Sequence, residues 1–542
     1  MTTAGRQLAE KPRIRVRAQI GRPTGPNSFE LRRQDPSAAR MVSASTSFAG
    51  ASTIMSELAS WIARGGDADA ALREVAQLRR RSYDLHRNHP IVSGAVATHR
   101  SETIGTGLRL QSRVNAKALG LEPEQASEVE EQLERAFRAW AEDPRECDLE
   151  GTKTFYDMQD LNVVTELLAG DAFALLVQRQ RVGSPWTSRI QLVDPARAEN
   201  PHGRQATSRL AGGVERDGDG FVVGYHFREG HPETSKIDKV NLEWRRFRRY
   251  AASGRQQVFH VMQADMNDQS RGYPQLAPVI HKLKQMDRYA DAEIMAAVVG
   301  GFLSVIFHEE RDGGAPNWDE GSDVQEAAEA AGIDGDDVLA MGHGTMMTAP
   351  AGMVPKVVSP GRPNAEFDPF VTSVLRQIGI SLELPFEVLI GHFQSSYSAA
   401  RAALLKAWKA TLVRRERHAR HFCTPVYRSW LYEAAAKGVV DLPGFFDDPF
   451  ARAAWSGCAW VGPARGAIDP QREYGAEIDL IDAGLRSRDD ASKLLTGNDW
   501  DDTAQRLARE AKVLAELGIA TTSSNTPSQA VLFPDTADST ET

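Results

Sequence analysis

The sequence predicts an α+β fold in which long helices flank a small sheet. Apolar residues recur at the helical period from about Met55 to Ala169 and again from Pro274 onward. Between them the period changes to short β-type runs bounded by Gly, Pro and Asp. Size adds a third constraint: 542 residues exceed what one hydrophobic core usually spans, so two or more substructures are expected.

The first fifty residues form a basic, apolar-poor arm. Nine cations from Arg6 to Arg40 face only Glu10, Glu30 and Asp35. Such a segment buries too little surface to offset its ordering entropy and is expected to be disordered. It reads as a solvated tail, or as an arm that touches nucleic acid or a neighbouring subunit. Order is expected from Met55, with Leu58, Trp61 and Ile62, then Leu72, Val75, Leu78 and Leu85, at helical spacing. After Asn88-His89-Pro90 a second helix runs from Ile91 to Thr103 and stops before Gly105 and Gly107. Val129, Leu133, Phe137 and Trp140 stripe a further helix, and Phe155 to Ala169 forms another, turned by Gly170-Asp171.

Strands are expected at 172–178, 190–193, 221–227 and 258–262. Pro274 then opens an amphipathic helix of about six turns. Residues 309–359, rich in Gly, Asp and Pro, read as an irregular insertion with one short helix near Val324 to Ala331. Phe370 to Ile380 is helical. A loop from Gly391 leads into a very long helix, Ala399 to Ala436, kinked by Pro425. Helices follow at 471–483, 487–495 and 501–517, and the Ser/Thr/Asp-rich end from Thr521 is expected to be disordered.

Composition excludes whole classes. With 41% hydrophobic and 25% charged residues the chain is not largely disordered. A net charge of −9 is not that of a basic nucleic-acid coat. Three cysteines (Cys147, Cys423, Cys458) make no disulfide framework and suit a reducing cytoplasm. The longest apolar stretch, Ile294 to Phe307, is broken by Gly300, Gly301 and Ser304, so no membrane span is expected. No apolar run follows the first cations, as a secretory signal would require.

Catalytic and cofactor motifs are not found. Gly151-Thr-Lys-Thr lacks the first glycine of a P-loop, which falls at Glu146, and Gly105-Thr-Gly107 lacks the third glycine of a dinucleotide fingerprint. There is no zinc-protease helix, nucleophile elbow or EF-hand. His86 and His89 sit at a helix end, His343 lies between glycines, and Cys423 has no evident partner. Catalytic, cofactor and metal residues are therefore predicted to be none. The unusual feature is the helix after Gly391, where Arg401, Lys406, Lys409, Arg414, Arg415, Arg417 and Arg420 face Glu416 alone. It reads either as a solvated face or as a positive rod near phosphates or acidic neighbours. Leu404, Leu405, Trp408, Leu412 and Val413 give the same helix an apolar stripe.

Several segments, in this order, resemble the lambda-type family of phage portal proteins, over roughly Tyr83 to Leu517. They are Asn88-His-Pro90, Ala136-Phe-Arg-Ala-Trp140, Gly170-Asp-Ala-Phe173, Gln191-Leu-Val-Asp-Pro195, Gln269-Ser-Arg-Gly-Tyr-Pro274 and Met286-Asp287. The C-terminal half adds Gly379 to Leu389, Ser395 to Arg401, Trp455-Ser-Gly-Cys-Ala-Trp460, Ile468-Asp-Pro470, Ala483-Gly-Leu485 and Gly497-Asn-Asp-Trp500. Colinearity over several hundred residues carries the resemblance. It implies a portal fold: a basic disordered arm (1–54), a helical and small-sheet wing region (55–273), a stem helix (274–307), and a clip-containing insertion returning to the wing (308–359). Then come a tunnel loop and long helix (360–438), a helical crown-like region (439–520) and a disordered tail (521–542).

The resemblance further implies a non-enzymatic ring, twelve subunits by family habit, at the capsid vertex of a virion assembled in the bacterial cytoplasm. Double-stranded DNA would be packaged and ejected through it. Implied partners are the terminase large subunit, the major capsid protein, scaffold and head-tail connector proteins. Gly391, His392, Phe393, Gln394, Ser395, Ser396, Tyr397 and Ser398 would form the tunnel loop at the bore. The basic helix would lie near the channel or a neighbour. An acidic chain with only local cations suits a conduit, since a strongly basic bore would grip DNA. The rival readings are a metal-dependent nucleic-acid-processing enzyme and a virion head protein without a channel.

Overall fold

The computed structural model describes residues 66–234, 243–301, 305–309, 353–357, 366–392, 396–466 and 469–517, together with Ser60. The chain divides at Gly66 into two units, and the architecture below is that of the second, Asp67–Thr542. Leu58, Trp61, His343 and the short helix expected at 324–331 lie outside the described residues.

Helix α1 (Leu72–Asn88) buries Val75, Arg79, Ser82 and Leu85 along one stripe, and α2 (Pro90–Thr103) starts on a proline whose missing N–H costs nothing at that position. Strand β1 (Arg109–Ser112) and a short turn of helix, α3 (Ala116–Leu119), lead to α4 (Pro123–Glu142). The face of α4 that enters the core is the predicted one, with Leu133, Phe137 and Trp140 at most 1% exposed. After α5 (Pro144–Cys147), α6 (Phe155–Ala169) begins in a Thr154/Asp157 capping box and ends at Gly170, whose φ of 93° is left-handed.

Three strands follow in the order β3-β2-β8, all antiparallel: β2 (Asp171–Gln178) lies between β3 (Ser188–Val193) and β8 (Val258–Met262). A second sheet runs β4 (Leu210–Ala211), β5 (Val214–Arg216), β6 (Val222–Arg228), β7 (Trp244–Arg248). Strand β2 is covered on both faces. Ala172, Ala174 and Leu176 face one core, while Phe173 and Leu175 face another with Tyr225 and Phe227 of β6. Its nearly unbroken apolar sequence is what two-sided burial requires.

The helix expected from Pro274 starts later, as α7 (Ile280–Gly301). Residues 274–279 form tight turns instead, with Ala277 N–H on Pro274 C=O and Val279 N–H on Leu276 C=O. Pro278 disfavours helical backbone at Ala277 and has no N–H to give. Strands β9 (Val305–Glu309) and β10 (Met353–Val357) pair antiparallel across the insertion. Then come α8 (Phe367–Ser381), α9 (Phe386–Ile390), α10 (Tyr397–His418) and α11 (Thr424–Ala436). The break anticipated at Pro425 is a π turn, Ala419–Cys423, in which the Thr424 N–H reaches Ala419 C=O. Widening the helix just before a proline accommodates a residue that cannot donate.

The last elements are α12 (Pro449–Trp455), β11 (Cys458–Val461), α13 (Pro470–Asp482), α14 (Arg488–Leu495) and α15 (Trp500–Glu516). Strand β11 pairs antiparallel with β1, from Arg109 opposite Val461 to Ser112 opposite Cys458. The main core is therefore built from both ends of the chain. Phe137 packs edge-to-face on Trp430 at 5.1 Å and on Tyr427 at 5.5 Å, and Phe422 stacks on Phe155 at 5.5 Å. The Glu433 carboxylate of α11 accepts the N–H groups of Thr187 and Ser188 on the edge of β3.

At the start of β2 sits an ionic cluster shut away from water. The Asp171 carboxylate is fully buried, with Arg79 Nη2 at 2.9 Å on Oδ1 and Arg271 Nε at 2.5 Å on Oδ2. Arg271 also donates to the carbonyls of Pro195, Ala198 and Gly212, and Arg79 to that of Ala169. Burial alone would raise the Asp171 pKa. Arg271 and Arg79 override it and hold the carboxylate far below the usual range. The backbones meet equally tightly: a Cβ on Gly170 would lie 2.3 Å from the Tyr273 carbonyl carbon, and one on Gly272 would lie 1.8 Å from Gly170 O.

Two outcomes follow. Asp171→Asn leaves two buried guanidiniums without a counter-charge and is expected to cost about 3–5 kcal/mol in denaturant unfolding at pH 7. Because the folded pKa of Asp171 lies below its unfolded value of about 3.9, the wild-type contribution is complete above that pH and is lost as pH falls below it. The gap between wild type and variant should therefore narrow on acidification. Gly170→Ala, placed at positive φ against backbone, should destabilise by more than ~1–2 kcal/mol, the cost of the left-handed conformation alone.

Candidate functional site

The segment singled out from the sequence, Gly391–Ser398, is held at both ends by packed helices. On its N-terminal side, α8 closes with Leu384 N–H on Gly379 C=O, and a Cβ at Gly379 would lie 2.6 Å from Leu384 O. Leu382, Leu384 and Leu389 are buried in a core shared with α1, α2 and α7. The His99 ring reaches Leu382 C=O at 2.9 Å, and burial pushes that imidazole down to about 3, so it stays neutral. Helix α9 then ends at Gly391, whose φ is 70°. No atom lies near a Cβ there, so glycine serves the backbone conformation and not a close approach. Phe393, Gln394 and Ser395 lie outside the described residues; His392, Ser396 and Ser398 are exposed, and α10 begins at Tyr397.

The cations of α10 divide into two groups. Arg401, Lys406 and Lys409 are exposed, with Arg401 3.9 Å from Glu473. Together with Leu412, Val413 and Glu416 they mark one continuous outward stripe. Arg414, Arg415 and Arg417 turn inward. Arg414 is 3% exposed and donates to Glu383 at 2.8 Å. Arg415 donates to the carbonyls of Glu102, Thr103 and Pro463 and lies over the Trp408 ring at 5.0 Å. Arg417 donates to Glu166 at 3.0 Å and to Gln263 at 2.8 Å. Burial lowers the pKa of Arg414 and Arg415, the latter to about 10, with Glu166 and Glu383 opposing it at Arg414 and Glu102 opposing it at Arg415. These three stitch α10 to α2, α6 and the turn after α8.

Sequence reasoning missed those partners because they come from segments 30 to more than 300 residues away. It also passed over His418, fully buried beside Phe422 and pushed down to about 3 by burial. The P-loop look-alike resolves into an aspartate-centred turn, in which the Asp148 carboxylate accepts the N–H groups of Glu150, Thr152 and Lys153. His89 faces Asp287 at 3.1 Å. Burial raises the thiol pKa of Cys147, to about 12, and that of Cys423. Among the described residues no three His, Cys, Asp or Glu side chains are grouped to hold a metal, and no helix is long and apolar enough to cross a membrane.

The segments on which the resemblance rested turn out to touch one another. Gly170-Asp171 meets Arg271-Gly272 and Pro195 in the buried ionic cluster. His89 of the first segment meets Asp287 of the stem segment. Phe137 meets Trp460 at 6.0 Å, and a Cβ on Gly457 would lie 2.0 Å from Arg113 O.

The chain is 26% identical over 477 residues to portal protein B of Escherichia phage lambda, covering 85% of this chain and 88% of that protein. It is 26% identical to the portal protein of Escherichia phage N15, covering 84% and 87%. Among solved structures it resembles a chain in the neck of a native gene transfer agent particle computed with C12 symmetry. That match has a TM-score of 0.41 and 14% identity, covering 79% of this chain and 94% of that one. The family model for phage portal proteins of the lambda family matches residues 55–415, from before α1 to the inward arginines of α10, and the chain belongs to that family.

Proposed function

We propose that copies of this chain close into a ring at one vertex of a phage capsid, and that double-stranded DNA is packaged and ejected through its centre. Portal proteins are structural components of the virion and not enzymes. In this reading residues 55–273 form the wing, 274–307 the stem, 308–359 the clip, 360–438 the tunnel loop with the long helix, and 439–520 the crown. Twelve copies is the number the family suggests. The ring docks the large subunit of the terminase during filling and connector proteins afterwards, meets the major capsid protein and scaffold at its rim, and is assembled in the bacterial cytoplasm.

The observation that best supports a channel role is the outward stripe of α10, continuous with Gly391–Ser398. It presents three separated cations, Arg401, Lys406 and Lys409, while Arg414, Arg415 and Arg417 are consumed inside the fold. Sparse exposed cations give weak, salt-screened contact with phosphates and let DNA slide. Exposed apolar residues on α7, Ile294 and Met295 (both 63% exposed) and Val298 (52%), suit a flank that meets the next copy.

Three measurements test this. Negative-stain images of the purified protein should show rings with an axial opening; a stable monomer or a plugged assembly overturns the reading. Removing residues 392–397 should preserve rings yet reduce the fraction of DNA-filled heads, and normal filling would count against a bore-lining loop. Lys406→Ala with Lys409→Ala should leave rings intact and lower the slope of log affinity for duplex DNA against log salt by about 1 per lost phosphate contact.

A further inference from the structure

A cleft of about 560 Å³ lies where the three- and four-stranded sheets meet the π turn. Arg216, Arg249, Arg417, Arg420 and His421 line it, and no Asp or Glu does. Two of the guanidiniums are neutralised: Arg417 by Glu166, and Arg420 by Glu416 at 3.1 Å. The other two are not. Arg216 donates only to backbone carbonyls, those of Gly220, Asp268 and Gln269. Arg249 has a buried Nε without a hydrogen-bond partner, and its guanidinium lies over the rings of Phe221 at 5.8 Å and Tyr250 at 5.3 Å. Those rings stack on each other at 6.2 Å and remain exposed, at 51% and 37%. Arg420 and His421 belong to the π turn, the one departure from α geometry between α10 and α11. His260 also lines the cleft, but Asp171 engages it from behind. The His421 imidazole is held below its usual pKa, first by burial and then by Arg420, Arg417 and Arg249, so the cationic groups act on a common space.

We infer that this cleft binds a nucleotide: phosphate groups against Arg216 and Arg249, and a base on the exposed Phe221–Tyr250 pair, which lies outside the cleft's own lining and adjoins it through Arg249. Guanidinium forks match phosphate oxygens bidentately. Aromatic faces beside a basic groove accept bases without regard to sequence. The volume exceeds a single inorganic phosphate. The two sources of this chemistry are a free nucleoside triphosphate and a segment of single-stranded nucleic acid. The inference does not depend on the channel reading, since none of these residues lies on the outward stripe of α10 between Arg401 and Val413.

The test uses the full-length protein at low salt, with fluorescent dATP and a labelled ten-nucleotide dT strand as probes. Arg216→Ala with Arg249→Ala should weaken the bound probe at least tenfold, while Arg135→Ala, an exposed cation elsewhere, should not. Phe221→Ala with Tyr250→Ala should weaken the same probe severalfold. Thermal melts and ring images of each variant establish that it is folded and assembled. Loss of dATP binding alone identifies a free nucleotide as the ligand, and loss of strand binding alone identifies nucleic acid. Probes that fail to bind, or that bind all variants equally, overturn the inference. So does a ten-residue poly-glutamate that binds as tightly as either probe, because an acidic peptide would then be the better occupant.

Discussion

The fold hangs on the carboxylate of Asp171. It sits at the first residue of the central strand, directly after the left-handed glycine that ends α6, and it collects Arg79 from α1 and Arg271 from the loop before the turns at 274–279. Removing two guanidiniums and a carboxylate from water costs several kcal/mol per ion unless each charge is matched and each donor satisfied. Here Arg271 makes bonds to Asp171 and to three carbonyls. Such a cluster contributes less to raw stability than to uniqueness. Only one mutual placement of α1, the sheet and the approach to α7 satisfies it, and the glycine contacts at 170 and 272 allow no slack.

A second joint acts through packing. Core residues of α4, α6 and β2 close against Phe422 of the π turn and Tyr427 and Trp430 after it, while Glu433 secures the edge of β3. Because β2 is buried on both sides, the main core and the core beneath the four-stranded sheet share one backbone. The inward arginines of α10 tie a third core, around Leu283 and Ile378, to the helix α6 of the main core. These joints do not draw on Lys406 and Lys409, which stay exposed on the outward stripe of α10.

Much of this was legible in the sequence, and the exceptions have physical causes. The helices at 72–88, 123–142, 155–169 and 367–381 declare themselves because each buries one stripe. Strands β2, β3, β6 and β8 do so through β-branched and aromatic runs. Strands β1 and β11, four residues each, carry too little pattern, and each depends on a partner at the opposite end of the chain. Strand β7, Trp-Arg-Arg-Phe-Arg, shows no apolar alternation, because Trp244 and Phe247, three positions apart, fall on opposite faces. For the candidate site, Arg401, Lys406 and Lys409 of the basic helix are exposed, whereas Arg414, Arg415 and Arg417 turn inward. Whether an arginine meets solvent or a carboxylate depends on Glu166 and Glu383, which no local window contains. The segments that carried the resemblance could be aligned in order, but nothing in one dimension showed that they were mutual contacts.

The pairing of Arg109–Ser112 with Cys458–Val461 joins residues more than three hundred positions apart. On a ribosome, the first of these strands emerges long before the second exists, and the aromatic cluster around Phe137 waits equally long for Trp430. A nascent chain therefore holds its largest apolar surface open until synthesis is almost finished. Products terminated before Cys458 lack the closing strand altogether, and they leave β1 and the aromatic cluster around Phe137 without the partners that cover them.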